Sequence, residues 1–382
     1  MSIAITGKQN TNGLIFVCDR FNPKSYVGEP TTNLALFDVT AGFSTDTPSN
    51  VTQTVDNSVT YKGRSSLKLS TVTGYWNIYK NGTAYHTQTS STTFTFSWKM
   101  KRADGAAPSL GGGYIYTVAV STYPSVTVYP IDDGWYQCVC TYSSTNSTVS
   151  LTGFNSTQLG VFYITDWQVE TKTHYTPYVY GTRSNTQGLV DLAGNSVLDL
   201  ANAGYDSSAQ FTFNGSSNSI IAPENSVFNT QTPSVEVWIK TNATTQNGFF
   251  FEKGNVNTQY SLFQEGTVIQ WRQYFSSGQG LTNLSTTTAN FISTSNWAHV
   301  VGTFTSGTRR LYINGALANS DSQAGTINTN ANGISIGVFG GYNGARGYYY
   351  NGQIGLVRVY NRVLSYDEVL RNYSVTKRRY GL

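Results

Sequence analysis

Carboxylates that could form a catalytic pair are scarce in this sequence. Hydrolysis of a sugar bond needs one acid group and one nucleophile or base on its two sides, and the chain has 20 Asp and Glu among 382 residues. No Glu-x-Asp-x-x-Glu arrangement occurs on a predicted strand, and the nearest approach to one is "DWQVE", where Asp166 and Glu170 are predicted to lie on one face. A solvated strand face accounts for this pair without catalysis, so we expect no catalytic residue here.

The histidines also lack the partners that chemistry would need. His86, His174 and His299 have no second ligand at the spacing of a metal site, and packing within a strand accounts for His299. Calcium is bound by clusters of acidic and amide oxygens, and no such cluster is specific enough to name ligands. The sequence therefore predicts a protein that is not an enzyme, needs no cofactor and has no assignable metal site.

Binding of a sugar is the chemistry that the aromatic residues could support. Sugar sites on β-sandwiches combine an aromatic platform with a few amide, acid or Arg groups. Three stretches offer this combination: Trp76, Tyr79 and Tyr85; Trp271, Arg272 and Tyr274; and Tyr342, Arg346, Tyr348, Tyr349 and Tyr350. A core or interface role is the alternative for each, because the chain has 27 Tyr, 19 Phe and 7 Trp. The third stretch is favoured, since its flanking glycines predict an exposed loop and Tyr with Arg is typical of interfaces.

The composition favours strands joined by turns. Aromatic residues make up 14% of the chain against 12% charged residues, and 37 Gly accompany abundant Thr, Ser and Asn, a mix that suits pleated strands and tight turns. The net charge of +4 is small and the one basic run is 377–379, so we expect no nucleic-acid partner. The first ten residues lack the pattern of a signal peptide and the apolar runs are too short to cross a bilayer, so we expect no membrane association.

The cysteines indicate the compartment in which the chain is assembled. Cys138 and Cys140 are predicted to lie on the same side of a strand, and Cys18 is far from both in the sequence. Three thiols without metal-type spacing predict reduced, partly buried side chains and assembly in a cytoplasm.

Periodicity predicts an all-β fold of two antiparallel β-sandwiches, or jelly rolls, with one short C-terminal helix. In "TFTFSWKM", residues 93–100, aromatic side chains and Met alternate with Thr, Ser and Lys, as in a half-buried strand. Asn81-Gly82 and Asn314-Gly315 predict two-residue hairpin turns. Ser365 and Glu368 predict a capping box, opening a helix that carries Val369, Leu370 and Tyr373 on one side.

The C-terminal part resembles the concanavalin A-like, laminin-G-like jelly roll. The matching stretches are "SVEVWIKT", "FEKG", "NWAHVVGTFTSGTRRLYINGALA" and "NGQIGLVRVYNRVLSYDEV", in this order over about 160 residues. Many relatives carry acidic residues where this chain has Gly355 and Leu356, which puts an inherited polar or metal contact at that position in doubt.

The remainder resembles virion structural proteins of tailed bacteriophages that combine this jelly roll with a carbohydrate-binding-like sandwich. The likeness is carried by "GLIFVCDRFNPKSY", "DGWYQCVCTY", "VFYITDWQVETKTHYTPYVYGTRS" and "TQGLVDLAGN". In simpler relatives the first of these stretches directly precedes the last, and here about 160 residues separate them. The resemblance therefore implies that residues 1–27 hold the first strand of the jelly roll of residues 184–382, and that residues 28–183 form an inserted sandwich.

This resemblance implies a particle-surface protein made in the host bacterial cytoplasm. Its partners would be other virion proteins, either major capsid or tail proteins, with many copies on each particle. The first hypothesis is a capsid decoration protein. The second is a receptor-binding tail or head fibre that adsorbs to host surface glycans, which is disfavoured because the sequence has no heptad run or shaft repeat. The third is a glycan-degrading enzyme, disfavoured by the lack of paired carboxylates.

Overall fold

The computed structural model describes residues 10–35, 51–71, 76–79, 86–88, 92–110, 112–117, 121–122, 124–144, 149–254, 259–276, 280–287, 292–340 and 346–382. Their first fourteen strands are β1 (Leu14–Asp19), β2 (Thr31–Thr32), β3 (Val51–Tyr61), β4 (Arg64–Thr71), β5 (Trp76–Tyr79), β6 (His86–Gln88), β7 (Thr92–Arg102), β8 (Gly112–Thr117), β9 (Ser121–Thr122), β10 (Thr127–Pro130), β11 (Tyr136–Ser144), β12 (Val149–Ser156), β13 (Gly160–Glu170) and β14 (Thr182–Arg183).

The second half of the chain continues in strands until its helical end. These strands are β15 (Asp199–Asn202), β16 (Gly204–Tyr205), β17 (Phe211–Asn214), β18 (Ser219–Ala222), β19 (Ser234–Thr241), β20 (Gln246–Lys253), β21 (Tyr260–Gly266), β22 (Val268–Phe275), β23 (Gly280–Thr287), β24 (Ala298–Thr305), β25 (Thr308–Ile313), β26 (Ala316–Asp321), β27 (Ile334–Ile336) and β28 (Asn351–Tyr360). Helix α1 spans Tyr366–Thr376, and short 3-10 turns span Asp132–Gly134, Ser226–Phe228 and Lys377–Tyr380. The predicted all-β class with a short C-terminal helix is confirmed.

The chain is divided into two compact units. The first, called the jelly-roll unit, comprises Met1–Pro30, Ser184–Asp206 and Gln210–Leu382; the second, called the middle unit, comprises Thr31–Arg183 with Ser207–Ala209. Within the middle unit, Thr31 and Arg183 are direct partners of the short β2–β14 ladder. The chain therefore enters and leaves the middle unit at neighbouring positions.

The jelly-roll unit is a sandwich of two antiparallel sheets. One has eight strands, in the order β16-β17-β28-β19-β24-β25-β26 with β1 also on β28, and the other has seven, in the order β15-β18-β27-β20-β21-β22-β23. Phe16 and Cys18 of β1 lie opposite Val359 and Val357 of β28. The strand at Leu14–Asp19 therefore contributes to the same sheet as residues 351–360, although more than 330 residues separate them in sequence.

Trp271 of β22 is central to the packing between these two sheets. Its side chain is fully buried, and its indole Nε1 donates to the Thr303 carbonyl of the facing sheet at 3.1 Å. A Cβ at Gly302 would lie 2.4 Å from the Trp271 ring. Glycine at 302 therefore lets the ring lie directly against the backbone of β24.

Helix α1 begins as predicted, with the Ser365 and Glu368 capping box. Val369 is buried and Tyr373 stacks on Trp238 with ring centroids 5.8 Å apart. Leu370 is 39% exposed, so the predicted apolar face was wrong at that residue, because the helix turns the 370 position away from the sheet. The Asn314-Gly315 hairpin between β25 and β26 is confirmed, with φ of 50° and 80° at the two turn residues.

A buried ionic cluster fixes β19, β24 and β28 beneath the helix. The Glu236 carboxylate accepts hydrogen bonds from Arg358 at 2.9 Å and from Asn372 of α1 at 2.7 Å. The Nε2 atom of the His299 ring lies 3.1 Å from the same carboxylate. The side chains of Glu236, His299 and Arg358 are almost fully buried. His299 is thus held within the sheet packing, as the sequence predicted.

The middle unit has a six-stranded sheet in the order β10-β11-β7-β13-β4-β3 and a five-stranded sheet formed by β5, β12, β8, β9 and β6. Alternate residues of β7 form the predicted core face: Phe94, Phe96, Trp98 and Met100. The prediction of a half-buried strand was wrong, because Thr95, Ser97 and Lys99 on the other face are buried too. Thr95 donates to the carbonyl of Lys172, which follows β13, and Lys99 lies against Asp166.

The predicted solvated face of "DWQVE" was also wrong. Asp166 and Glu170 are both buried, and a register shift in β13 between Thr165 and Gln168 separates them. Asp166 has a left-handed φ of 54° and pairs with cations, whereas Glu170 accepts hydrogen bonds from Thr31 and Thr176 at 2.6 Å. The bulge therefore directs the two carboxylates to separate structural roles.

All three cysteines are free and fully buried, so the expectation of partial burial was too low. Cys138 and Cys140 share the core of the middle unit. Burial raises the pKa of the Cys18 and Cys138 thiols, which disfavours the reactive thiolate. Within the described part of the chain, no helix is long and apolar enough to cross a membrane.

Candidate functional site

The candidate site lies on β20 and its two neighbours in the seven-stranded sheet. β20 contains Phe249, Phe250 and Phe251 in succession, and its register against β21 shifts between the first and the third. Phe250 and Phe251 belong to the core of the sandwich, and Phe249 lies outside that core. A bulge turns a side chain to the other face of a sheet, so three consecutive phenylalanines serve both faces.

Phe249 and Phe263 lie directly opposite each other on β20 and β21. Their rings stack with centroids 4.4 Å apart and planes 5° apart. The guanidinium of Arg272, on β22, lies over the Phe263 ring with its carbon 4.1 Å from the ring centroid. A cation over an aromatic face contributes about 0.5–2 kcal/mol, more when water is excluded. The stacked Phe249 and Phe263 rings therefore position the Arg272 guanidinium.

Tyr348 is the exposed ring of the site, with 58% of its surface accessible. Its φ of 49° is a left-handed conformation, which is uncommon for tyrosine. Its carbonyl accepts a hydrogen bond from the Phe249 amide at 3.2 Å, and the preceding Gly347 is bridged to Phe339. The Tyr348 ring meets Phe339 edge-on with centroids 5.9 Å apart. These contacts maintain an unfavourable backbone conformation that places an exposed tyrosine beside the Phe339 ring.

Polar groups complete the site, which we call the aromatic pocket. It has a volume of about 90 Å³ and is lined by Asn247, Phe249, Phe263, Gln264, Glu265, Arg272 and Tyr348. The buried Gln264 donates to the Thr244 and Gly266 carbonyls, and its Oε1 has no hydrogen-bond partner among the described residues. This oxygen is enclosed by protein, so Gln264 forms part of the pocket wall and the polar groups open to a ligand belong to Asn247, Glu265 and Arg272.

The charged groups at the aromatic pocket are suited to binding rather than to acid–base catalysis. Burial lowers the pKa of Arg272, and the Glu265 and Glu252 carboxylates act in the opposite direction. Arg272 donates through Nε to Asn283 at 2.9 Å, and among the described residues its terminal nitrogens have no hydrogen-bond partner and are available to a ligand. Among the lining residues Glu265 alone is acidic, whereas glycoside hydrolysis uses two carboxylates.

The size of the aromatic pocket limits what can enter it. Pockets that enclose a small molecule measure roughly 300–1,000 Å³, and this one is much smaller. It can receive one face or one edge of a ligand, with the Tyr348 ring on one side and Arg272, Asn247 and Glu265 offering directed polar contacts. That arrangement is typical of a shallow sugar or peptide side-chain site.

Two of the residues predicted from sequence, Arg272 and Tyr348, meet at this pocket. Trp271 and Tyr350 are buried in the core and cannot present a ring to a ligand, which corrects their assignment as platform residues. Tyr274, Arg346 and Tyr349 are partly buried and do not line the pocket. The side chains of Trp76 and Tyr79, and the whole of Tyr85, Tyr342 and the Asn81-Gly82 turn, lie outside the described residues.

The sequence prediction missed Phe249, Phe263, Asn247, Gln264 and Glu265. A triple phenylalanine in "GFFFEKG" was the available signal, because a strand with one buried face does not place three consecutive aromatic side chains on that face. The signal shows that the strand departs from simple alternation.

One further pattern has a structural explanation. Residues 333–337 read G-I-S-I-G, the G-x-S-x-G spacing of a nucleophile turn in some hydrolases. Ser335 instead lies within β27, where its hydroxyl bonds to the Val338 carbonyl at 2.9 Å and to Glu252. A nucleophile turn exposes its serine between a strand and a helix, so this buried strand residue is structural.

The described residues contain no group of three His, Cys, Asp or Glu that could hold a metal ion.

Comparison with known proteins agrees with this architecture. Residues 214–370 match the Laminin_G_3 family, described as the concanavalin A-like lectin/glucanases superfamily. The chain therefore contains a concanavalin A-like jelly roll. No curated protein matches the sequence.

Several solved structures show a distant likeness. One is the receptor-binding domain of botulinum neurotoxin mosaic serotype C/D, at 19% identity and a TM-score of 0.40, with 50% of this chain and 49% of that chain covered. Another is the binding domain of Paraclostridial Mosquitocidal Protein 1, at 19% identity and a TM-score of 0.39, with 49% of each chain covered. The chain spans about half the length of these domains, and a likeness at this level does not indicate a ligand or a partner.

Proposed function

We propose that this chain is a non-enzymatic structural protein on the surface of a tailed-bacteriophage particle, and that its aromatic pocket binds a glycan. On the particle it would be a capsid decoration or another surface component, present in many copies and attached to major capsid or tail proteins. The particle assignment is supported by the resemblance of "GLIFVCDRFNPKSY" and "VFYITDWQVETKTHYTPYVYGTRS" to virion proteins.

The glycan assignment depends on one observation, the grouping of exposed Tyr348 and Arg272 over the stacked Phe249 and Phe263 rings. A sugar presents an apolar face that stacks on a ring and hydroxyls that need directed partners. The aromatic pocket offers an exposed ring, a cation and the polar side chains of Asn247 and Glu265 within one concavity. The concanavalin A-like fold supports the same conclusion, since lectins are part of that superfamily as described.

The particle assignment can be tested on purified virions. Particles banded in a density gradient and analysed by mass spectrometry should contain this chain in a fixed ratio to the major capsid protein. Its absence from intact particles, while it is present in the lysate, would exclude a structural role. Release of reducing ends from host polysaccharide by the pure protein would instead show an enzyme.

A receptor-binding role on a tail or head fibre is the second candidate, favoured by the exposure of Tyr348. A phage that lacks this gene should then adsorb poorly to its host while its capsids keep their heat stability. A decoration protein should give the reverse result, with normal adsorption and less stable capsids.

A further inference from the structure

A second concavity lies wholly within the middle unit, on the face of the six-stranded sheet that carries Lys99. It measures about 300 Å³, and its lining consists of Tyr61, Lys62, Arg64, Lys99, Ile131, Gln137, Pro177 and Tyr178. We call it the cationic cleft. Its volume is at the lower end of the range of pockets that bind small molecules, roughly 300–1,000 Å³.

Three cations are held in this cleft around one tyrosine ring. The Lys99 Nζ lies 4.9 Å from the Tyr61 centroid, the Lys62 Nζ at 5.4 Å and the Arg64 guanidinium carbon at 5.7 Å. Arg64 also lies 5.3 Å from the centroid of Tyr178. Like charges repel, so this grouping is unfavourable unless negative charge is brought close to it.

Asp166 supplies one such charge from below the cleft. Its carboxylate accepts hydrogen bonds from Nε and one terminal nitrogen of Arg64, both at 2.5 Å, and from the Lys99 ammonium at 2.7 Å. The Asp166 side chain is almost fully buried, at the β13 bulge where the backbone is left-handed. Three cations against one carboxylate leave two positive charges facing the concavity.

The Lys99 ammonium is affected by burial and by the charges around it. Burial lowers its pKa, Asp166 opposes this, and Arg64 and Lys62 lower it further. The Lys99 ammonium shares the Asp166 carboxylate with Arg64, and Lys62 has no carboxylate partner among the described residues. A buried, fixed cation that lacks full compensation is poised to bind an anionic group strongly, because the local dielectric constant is low.

We propose that the cationic cleft binds the carboxylate or phosphate group of an acidic sugar. Arg64 and Lys99 would contact the anionic group, Lys62 would close over it from the rim, and Gln137 and Tyr178 would meet the hydroxyls. A nucleic acid is disfavoured because its recognition needs an extended basic surface, whereas these cations are confined to one concavity and the net charge of the chain is only +4.

Lys62 allows a test that spares the fold. It is exposed and forms, with Gly63, the two-residue turn between β3 and β4, with φ of 48° and 79°. Asn-Gly is the preferred sequence for such a turn, so Lys62→Asn removes the charge while it retains the backbone. Lys24→Asn, at an exposed turn of the jelly-roll unit, is a control with the same change in net charge, and Lys62→Arg keeps the charge in place.

Calorimetric titration of the full chain should use a galacturonate trimer, glucose 6-phosphate, a neutral maltotriose, inorganic phosphate and a single-stranded oligonucleotide. We expect at least one acidic sugar to bind, with an affinity that falls as salt increases. Lys62→Asn should weaken that binding roughly two- to fivefold, the effect of losing one ion pair at an exposed rim. Lys24→Asn and Lys62→Arg should match the wild type, as should loss of Tyr348 at the separate aromatic pocket.

Four results would overturn the proposal: no heat with either acidic sugar at millimolar concentration, equal binding of maltotriose, equal binding of inorganic phosphate alone, or tighter binding of a single-stranded oligonucleotide. An unchanged affinity in Lys62→Asn would also overturn the assigned site. Lys62 is in the middle unit and Tyr348 is in the jelly-roll unit. A negative result for the cationic cleft therefore says nothing against the aromatic pocket and can be distinguished from failure of the proposed function.

Discussion

The guanidinium carbon of Arg272 lies 4.1 Å above the centroid of the Phe263 ring, on the strand next to it in the seven-stranded sheet. The contact holds a cation at a fixed height over a buried ring that is itself stacked on Phe249. A flexible surface arginine would lose side-chain entropy on meeting a ligand, and this one has lost part of it already. The pair therefore preorganises the aromatic pocket.

Replacement of Tyr348 should weaken glycan binding without unfolding the protein. Tyr348→Asn removes the exposed ring, and Asn tolerates the left-handed backbone at this position. We expect glycan affinity to fall roughly two- to tenfold, the effect of losing one ring contact of about 0.5–1.5 kcal/mol. A glycan array followed by titration would measure it. Tyr180→Asn, at a tyrosine that is 67% exposed in the middle unit, is the control, and equal losses in the two variants would contradict the assigned site.

Replacement of Glu236 should destabilise the jelly-roll unit and change its acid response. Desolvation alone would raise the pKa of Glu236, but Arg358 and His299 outweigh it and hold the pKa at about 2. The stability contributed by this carboxylate is therefore complete above its ordinary pKa of 4.5 and lost as the pH falls towards 2. Glu236→Gln leaves Arg358 buried without its partner and should cost about 3–5 kcal/mol at pH 7.

Denaturant unfolding at neutral pH and near pH 2 would check this prediction. The difference in free energy of unfolding between Glu236→Gln and the wild type should be smaller near pH 2, because protonation removes the same charge in the wild type. Glu265→Gln, at an exposed carboxylate bonded to Gln270, should have little effect at either pH. An equally large difference in free energy of unfolding at both pH values would show that side-chain shape, and not charge, causes the destabilisation.

A methyl group at residue 302 should disturb the packing of Trp271. The added Cβ would lie 2.4 Å from the ring, and the fully buried indole has little room to move. Gly302→Ala should therefore cost about 1–3 kcal/mol, as overpacked cores do. Gly347→Ala is the matched change, because its Cβ meets nothing within 4 Å. Thermal unfolding that fails to separate the two variants would mean that the sheets adjust freely around Trp271.

Removal of the middle unit should leave a folded jelly roll, if it is an insertion as we propose. Thr31 and Arg183 are paired, so a few glycines can join Pro30 to Ser184, and the Val27 amide already donates to the Gly188 carbonyl at 2.9 Å. We expect one cooperative unfolding transition in the shortened chain. Further deletion of residues 14–19 should abolish that transition, because it removes a strand from the eight-stranded sheet. A shortened chain without cooperative unfolding would count against insertion.

Local patterns could predict strands, turns and the helix cap, because each depends on near neighbours. The alternation of β7 identified its core face, and Ser365 with Glu368 identified the start of α1. Burial of Lys99 and Asp166 could not be predicted, since residues distant in sequence cover them. Trp271 and Arg272 illustrate the same limit at the candidate site. They are adjacent and point to opposite faces, and no local pattern indicates which face is covered.

The pairing of β1 with β28 also sets an order of events during synthesis. Leu14 emerges from the ribosome more than 300 residues before its partner Tyr360. At about 5–20 residues per second this interval is on the order of tens of seconds, much longer than the folding time of most small domains. The nascent chain must therefore carry an unpaired apolar strand while the middle unit is synthesised, and the cell's chaperones would have most reason to bind the protein during that interval.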